Sequence, residues 1–263
     1  MGEYMSIESV KMDNVAKKFI VMSGKGGVGK STVAVNLAVS LALQGKKVGL
    51  LDVDIHGPSI PTMLGLGGTK LMGDGERIDP AEVPGFDTLK VMSIGFMLQA
   101  EDAPVIWRGP MKNGVIKQFL EDVEWGELDC LIVDCPPGTG DEPLSVIQLL
   151  GNPDGAIIVT TPQNVASVDV SKSLNFCKQL NLPVTGIVEN MSGFVCPDCK
   201  KITYIFKEGG GKRLAEKYGV PFLGSLPLDP AVGDCGDTGI PYVSQFKDSP
   251  MSEVYAKISR SLV

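Results

Sequence analysis

Apolar residues in this chain fall into short unbroken runs, separated by stretches where they recur every three or four positions. Phe19 to Met22 is the first run. Past a glycine-rich segment, Val33, Leu37 and Leu41 fall at helical spacing from about Lys30, and Gly45 supplies a helix-ending position. Lys47 to Val53, Thr88 to Met92, Asp129 to Asp134, Gly155 to Thr160, Val184 to Glu189 and the short Phe222 to Ser225 read as further strands. Helical spacing returns over about Lys112–Glu121, Val165–Leu180, Gly211–Tyr218 and Ser249–Leu262, with a short helix near Ile60–Leu64. Residues 1–17 are polar and read as a short helix or an arm. The Gly- and Pro-rich stretch 55–87 otherwise reads as loops, and Gly95 to Pro110 as irregular.

Strands that are apolar throughout, alternating with helices, predict an α/β fold with a mostly parallel sheet covered by helices on both faces. No internal repeat or compositional shift divides the chain. One domain is expected over 18–263 after an N-terminal arm at 1–17, with a Cys-containing excursion at 193–207 inserted into the alternation.

Composition changes this picture little. The 263 residues suffice for one large α/β domain, and 43% hydrophobic with 21% charged residues is ordinary for a soluble protein. A net charge of −7 argues against nucleic acid or anionic membrane as partners. The apolar runs are strand-sized, so no transmembrane helix is predicted, and the N-terminus lacks a signal-peptide layout. Six cysteines without such a signal fit a reducing cytosol, so a cytoplasmic location is expected.

The chemistry starts between the first strand and the first helix. The string Gly24-Lys25-Gly26-Gly27-Val28-Gly29-Lys30-Ser31-Thr32 contains the phosphate-loop pattern G-x-x-x-x-G-K-[ST], in the strand-to-helix context that pattern requires. Glycines let successive backbone N–H groups turn inward on phosphate oxygens, and the helix adds the positive end of its dipole. Lys30 is placed to reach the β- and γ-phosphates, and the Ser31 hydroxyl to ligate Mg2+. Leu131-Ile132-Val133-Asp134 is an apolar strand ending in an acid, at the sheet edge where ligands bind, followed by the rigid Pro136-Pro137-Gly138-Thr139-Gly140-Asp141 turn. Asp134 is a candidate Mg2+ ligand. Asp52 and Asp54 close the second strand, one to align Mg2+ and the other to orient an attacking water. With no Asn-Lys-x-Asp string to select guanine, ATP is the expected nucleotide.

Cys196-Pro197-Asp198-Cys199 is the second informative string. Two thiolates at this spacing grip one metal, yet structural zinc and [4Fe–4S] clusters ordinarily take four ligands. Cys130, Cys135, Cys177 and Cys235 are scattered singly, and the first two flank a buried strand. Two chains contributing two cysteines each is the favoured arithmetic. A redox pair, and a single-chain zinc knuckle completed by Cys235, are the alternatives.

With its second lysine, the loop resembles the deviant Walker A motif of the MinD/ParA/Mrp branch of P-loop ATPases. There the extra lysine, here Lys25, reaches the nucleotide across a dimer interface; otherwise Lys25 is a solvated lysine beside the phosphates. Asp54-Ile-His-Gly-Pro-Ser-Ile-Pro61, Trp107-Arg-Gly-Pro-Met111, Pro136 to Ser145 and Cys196 to Cys199 together resemble the Mrp/Nbp35/ApbC group of ATP-dependent iron–sulfur cluster carriers, over about residues 15–262. That resemblance implies a homodimer bridging a labile [4Fe–4S] cluster through Cys196 and Cys199 of both copies, with scaffold proteins and apo iron–sulfur proteins as partners. It ties Asp54 to hydrolysis, and Asn190, Pro227 and Asp229 to the adenine. Two departures stand out. The chain has no N-terminal four-cysteine segment, so a second, stable cluster is not expected. It has no appended accessory domain either, so delivery is expected to use a separate partner. His56 stands where the group usually has an aromatic residue and reads as a loop or packing residue. Trp107-Arg108 fits a loop over the sheet edge as well as a nucleotide or subunit contact.

A second reading is a positioning or regulatory ATPase of the MinD/ParA type with a structural zinc site. Its membrane form should end in a basic amphipathic helix. The closing helix puts Met251, Val254, Tyr255, Ile258 and Leu262 on one face, with Lys257 and Arg260 as its only late basic residues, which predicts a helix packed back on the domain.

Overall fold

The computed structural model describes residues 9–55, 57–97, 109–196, 198–199 and 201–263, with backbone alone at 109–110 and 164–167. His56, Pro197, Trp107 and Arg108 lie outside the described residues, as does the first half of the expected arm.

The strands are β1 (Lys18–Ser23), β2 (Val48–Asp52), β3 (Ala81–Val83), β4 (Phe86–Ser93), β5 (Cys130–Asp134), β6 (Gly155–Thr160), β7 (Val184–Glu189), β8 (Phe194–Val195), β9 (Ile202–Thr203) and β10 (Phe222–Ser225). The helices are α1 (Lys30–Leu43), α2 (Ile60–Met63), α3 (Gly109–Glu121), α4 (Asp141–Leu150), α5 (Asn164–Gln179), α6 (Gly210–Tyr218), α7 (Pro230–Thr238), α8 (Tyr242–Gln245) and α9 (Pro250–Arg260). Among the described residues they build an eight-stranded sheet in the order β10-β7-β6-β1-β5-β2-β4-β3. Every pairing is parallel except β3 with β4, and β8 and β9 form a separate antiparallel ribbon.

Alternation along β1 explains the layers. Phe19 and Val21 face one apolar core, shared with Leu37 of α1, Ile60 of α2, Tyr242 of α8 and Tyr255 of α9. Ile20 and Met22 face the other, shared with Phe119 of α3, Val146 of α4, Val170 of α5 and Leu214 of α6. β1 is flanked by β5 and β6, so the chain order reverses beside it. Its carboxyl end is therefore the switch point at which open α/β sheets bind ligands.

Several elements depart from expectation. Residues 9–17 lie on the core rather than standing off as an arm. Val10, Met12 and Val15 are buried, Val10 N donates to Leu149 O (2.8 Å), and Val15 bridges to Leu128. The stretch 55–87 hides β3. α4 and α7 were unforeseen because their Pro and Gly content reads as turn, but each carries its proline in the first turn, where the absent N–H has no helical partner to lose. The closing helix does pack back: Met251, Tyr255 and Ile258 are buried, and Ser259 Oγ meets Ser40 Oγ of α1 at 3.0 Å. No described helix is long and apolar enough to cross a membrane.

Candidate functional site

The apolar run of β1 ends at Ser23, whose hydroxyl turns back to donate to Lys25 O (2.9 Å). Gly27 and Gly29 then take positive φ values of 75° and 83°, which bend the backbone into α1. The loop has little room to change. A Cβ on Gly24 would lie 2.5 Å from the Asp169 backbone of α5, and one on Gly29 would run into Asn190 Nδ2. Gly26 and Gly27 are exposed with nothing above them, Val28 is buried as the loop's anchor, and Lys25 is half-buried at the rim.

Lys30 and Ser31 start α1 and meet the acids of the neighbouring strands. Lys30 Nζ lies 2.7 Å from Asp134 Oδ1 and 3.3 Å from Asp54 Oδ2, while Ser31 Oγ donates to Asp134 Oδ2 at 2.5 Å. Asp52 and Asp134 are direct register partners on β2 and β5, so the two carboxyls sit side by side. Asp52 Oδ2 accepts from Ser93 Oγ (2.8 Å) and Oδ1 from Asp54 N (3.1 Å). Asp52 and Asp134 are completely buried, and Lys30 and Asp54 nearly so. Burial, then the charge of Asp134, pushes the Asp52 carboxyl up to about 8, against its hydrogen bonds and Lys30. Burial also raises Asp134, opposed chiefly by Lys30. For Lys30, burial acts against the charge, but Asp134 and Asp54 together outweigh it and hold the ammonium above its ordinary range. Two adjacent buried acids, with one lysine for compensation, make a site short of positive charge.

The base-side candidates converge on the same edge. Asn190, just past β7, donates Nδ2 to Val28 O of the loop (2.9 Å) and its N to Thr160 O (2.7 Å). Asp229 is occupied by local structure: it caps α7 by accepting from Ala231 N (2.9 Å) and accepts Tyr242 Oη (2.8 Å). Pro227 and Asp229 border a cavity of ≈ 510 Å³ whose other walls include Phe194, Leu228, Tyr242 and Met251. The Asp-Pro pair at 229–230 is a helix-start signal legible in the sequence.

Cys196 and Cys199 sit at the tip of the β8–β9 ribbon, which Cys196 N closes by donating to Lys201 O (3.1 Å). Cys196 is half-buried and Cys199 exposed. Around them Val195, Ile202, Tyr204 and Ile205 are exposed, an unusual concentration of apolar surface for so short a segment. Among the described residues no three His, Cys, Asp or Glu side chains gather to hold a metal. Cys235 is buried and its thiol donates to Gln245 Oε1 (3.2 Å). Cys130, Cys135 and Cys177 are buried, and burial pushes their thiols up.

The sequence assigned no anchoring role to one residue of this edge. Glu189, at the end of β7, is completely buried, and its carboxylate accepts from Ser192 Oγ (2.6 Å), Gly209 N (3.1 Å) and Gly211 N (2.6 Å).

A phosphate loop at the switch point, with an acid-tipped strand beside it, defines a P-loop nucleoside triphosphatase. The nucleotide-binding protein of Archaeoglobus fulgidus, solved in complex with ADP and with Co, is 45% identical, with a TM-score of 0.76 over 86% of this chain and 88% of its own. Pyrococcus furiosus MinD shares the fold, at 23% identity and a TM-score of 0.67 over 94% and 98% of the two chains. The chain belongs to the ParA family of NUBPL iron-transfer P-loop NTPases, whose model matches residues 14–263. Its relatives include the "iron-sulfur cluster carrier protein" of Methanocaldococcus jannaschii, 53% identical over 96% of this chain and 86% of that one. Another is the "cytosolic Fe-S cluster assembly factor NUBP2 homolog" of Dictyostelium discoideum, 52% identical over 90% and 91%.

Proposed function

We propose that this protein is an ATP-hydrolysing carrier that holds a labile [4Fe–4S] cluster between two copies of the chain and passes it from scaffold to apo-protein. The observation that carries this reading is the two-thiol tip on an exposed apolar ribbon, beside the nucleotide edge and with no further ligand among the described residues. A second copy supplies the two missing thiolates, and the exposed Val195, Ile202, Tyr204 and Ile205 then gain a partner.

In the nucleotide site, backbone N–H groups of residues 24–31 cradle the phosphates, and Lys30 leaves its carboxylates for the β- and γ-phosphate oxygens. Lys25 reaches the nucleotide of the opposite copy. The adenine enters the Phe194–Tyr242 cavity, with Pro227 in its lining and Asp229 fixing the wall through Tyr242 and α7, while Asn190 contacts the base from beside the phosphate loop. Ser31, Asp134 and Asp52 form an all-oxygen set short of positive charge, which fits a hard divalent cation. When bound, Mg2+ neutralises phosphate charge. Asp54, close to Lys30 and nearly buried, orients the water that attacks the γ-phosphorus as the bond to ADP breaks.

Anaerobic reconstitution with iron and sulfide tests this. Four irons and four sulfides per dimer are expected. Cys196→Ser and Cys199→Ser should each abolish loading, because either change removes two of four ligands in a homodimer, whereas Cys177→Ser should load normally. Chelating the iron should shift nucleotide-free protein toward monomer in size-exclusion chromatography. A cluster retained by a strict monomer, or zinc bound at one ion per chain, would refute the shared site.

A further inference from the structure

A fully buried carboxylate persists only when its oxygens are paired. Glu189 pairs its oxygens in a particular way. Ser192 stands just before the cysteine ribbon, and Gly209 and Gly211 just after it, so one carboxylate holds both ends of the segment carrying Cys196 and Cys199. Residues in left-handed backbone flank the segment: Met191 (φ 58°) and Gly193 (φ 81°) on one side, Lys207 (φ 73°) and Gly209 (φ 67°) on the other. The next residue along, Asn190, is bonded to the phosphate-loop carbonyl of Val28 and packs against Gly29. Three covalent bonds of backbone therefore join the loop's contact to the ribbon's anchor.

We propose that Glu189 is the positioning residue that couples nucleotide occupancy to the cysteine ribbon. Closure of the loop around phosphate acts on Val28 and Gly29, which bear on Asn190. Asn190 and Glu189 sit on one rigid strand end, so the change is relayed to both ends of the ribbon together and alters the exposure of the thiols. A hydrogen-bonded carboxylate suits this role because it accepts several backbone N–H groups at once. The proposal rests on the reading that the ribbon is the cluster site, but its test needs no cluster.

The test measures the reaction of DTNB with the full-length, cluster-free protein. The other four cysteines are buried, so the fast phase belongs to the Cys196/Cys199 tip. In the wild type, Mg-ATP should change that rate by about fivefold or more, the lower end of ordinary inter-site coupling. Glu189→Gln keeps the shape but turns an N–H against one of the glycine N–H groups. It should bind a fluorescent ATP analogue within about threefold of wild type while its thiol response falls below about twofold. Ser192→Ala removes one bond only and should give an intermediate response; it decides the matter if the Gln variant does not fold. A wild-type rate indifferent to ATP overturns the proposal, as does a full response in both variants, which would route coupling through the Phe194 cavity wall. Loss of ATP binding in the Gln variant also overturns it, since Glu189 would then be supporting the nucleotide pocket. Failure of iron loading in the wild type would instead sink the carrier reading and leave this measurement standing.

Discussion

Replacing Asp52 by Asn should make the nucleotide-free protein more stable while weakening its use of Mg-ATP. The substitution is nearly isosteric. Asn keeps an oxygen to accept from Asp54 N, and its amide can pair with the Ser93 hydroxyl, so chiefly the charge is lost. Burial and Asp134 lift this carboxyl from 3.8 to about 8. At about 1.4 kcal/mol per unit, the raised value penalises the fold near pH 7.5, where the buried carboxyl is mostly protonated, by up to roughly 5 kcal/mol. Asn replaces the carboxyl's bonds imperfectly, so a net gain of about 2–4 kcal/mol is expected. That corresponds to roughly 5–15 °C in Tm for a chain of this size. The sign follows from the raised value. The wild type has no penalty at pH values below the unfolded carboxyl's and loses stability as pH climbs toward about 8. The gap between variant and wild type should therefore be small near pH 5 and large near pH 8. Thermal unfolding followed by circular dichroism in EDTA measures it. An Asn variant no more stable than wild type at the higher pH, or a gap that ignores pH, would show that Asp52 carries no such penalty.

Lys30→Ala should lower ATP hydrolysis by about 100-fold or more through loss of the cation at the β- and γ-phosphates. Asp54→Asn should instead bind nucleotide normally and turn over slowly; steady-state ATPase assays alongside analogue titration separate the two. Gly29→Ala forces a side chain into left-handed backbone and into Asn190. It should weaken ATP binding at least tenfold while calorimetry shows a fold still cooperative.

Much of the fold was legible because β1, β2, β5, β6 and β7 are largely apolar runs of strand length alternating with helices, the pattern of a covered parallel sheet. The phosphate loop was legible for a related reason: its glycines and lysine are demanded by local geometry and lie in one string. α4 and α7 were not, because Pro143, Pro230, Gly233 and Gly236 are turn formers whose helical tolerance depends on position and on neighbours far along the chain. Asp229 was expected at the adenine; what the sequence could not show is that its carboxylate also caps α7 and holds Tyr242. The anchoring role of Glu189 was not legible, since an acid ending a strand resembles any solvated strand end until Gly209 and Gly211 fold back on it. Local chemistry is written in strings, but the convergence of distant segments on one atom is not.

The two margins of the main sheet carry a further consequence. β3 is three residues long and slips register between Glu82 and Val83, and β10 is four residues long and slips between Phe222 and Gly224. Short, kinked margins are poor templates for adding another strand. A chain that keeps an apolar ribbon exposed is at risk of indiscriminate aggregation, and among the described residues neither sheet margin adds to that risk. If the proposed pairing through the ribbon holds, a crowded solution should yield closed pairs rather than open-ended fibres.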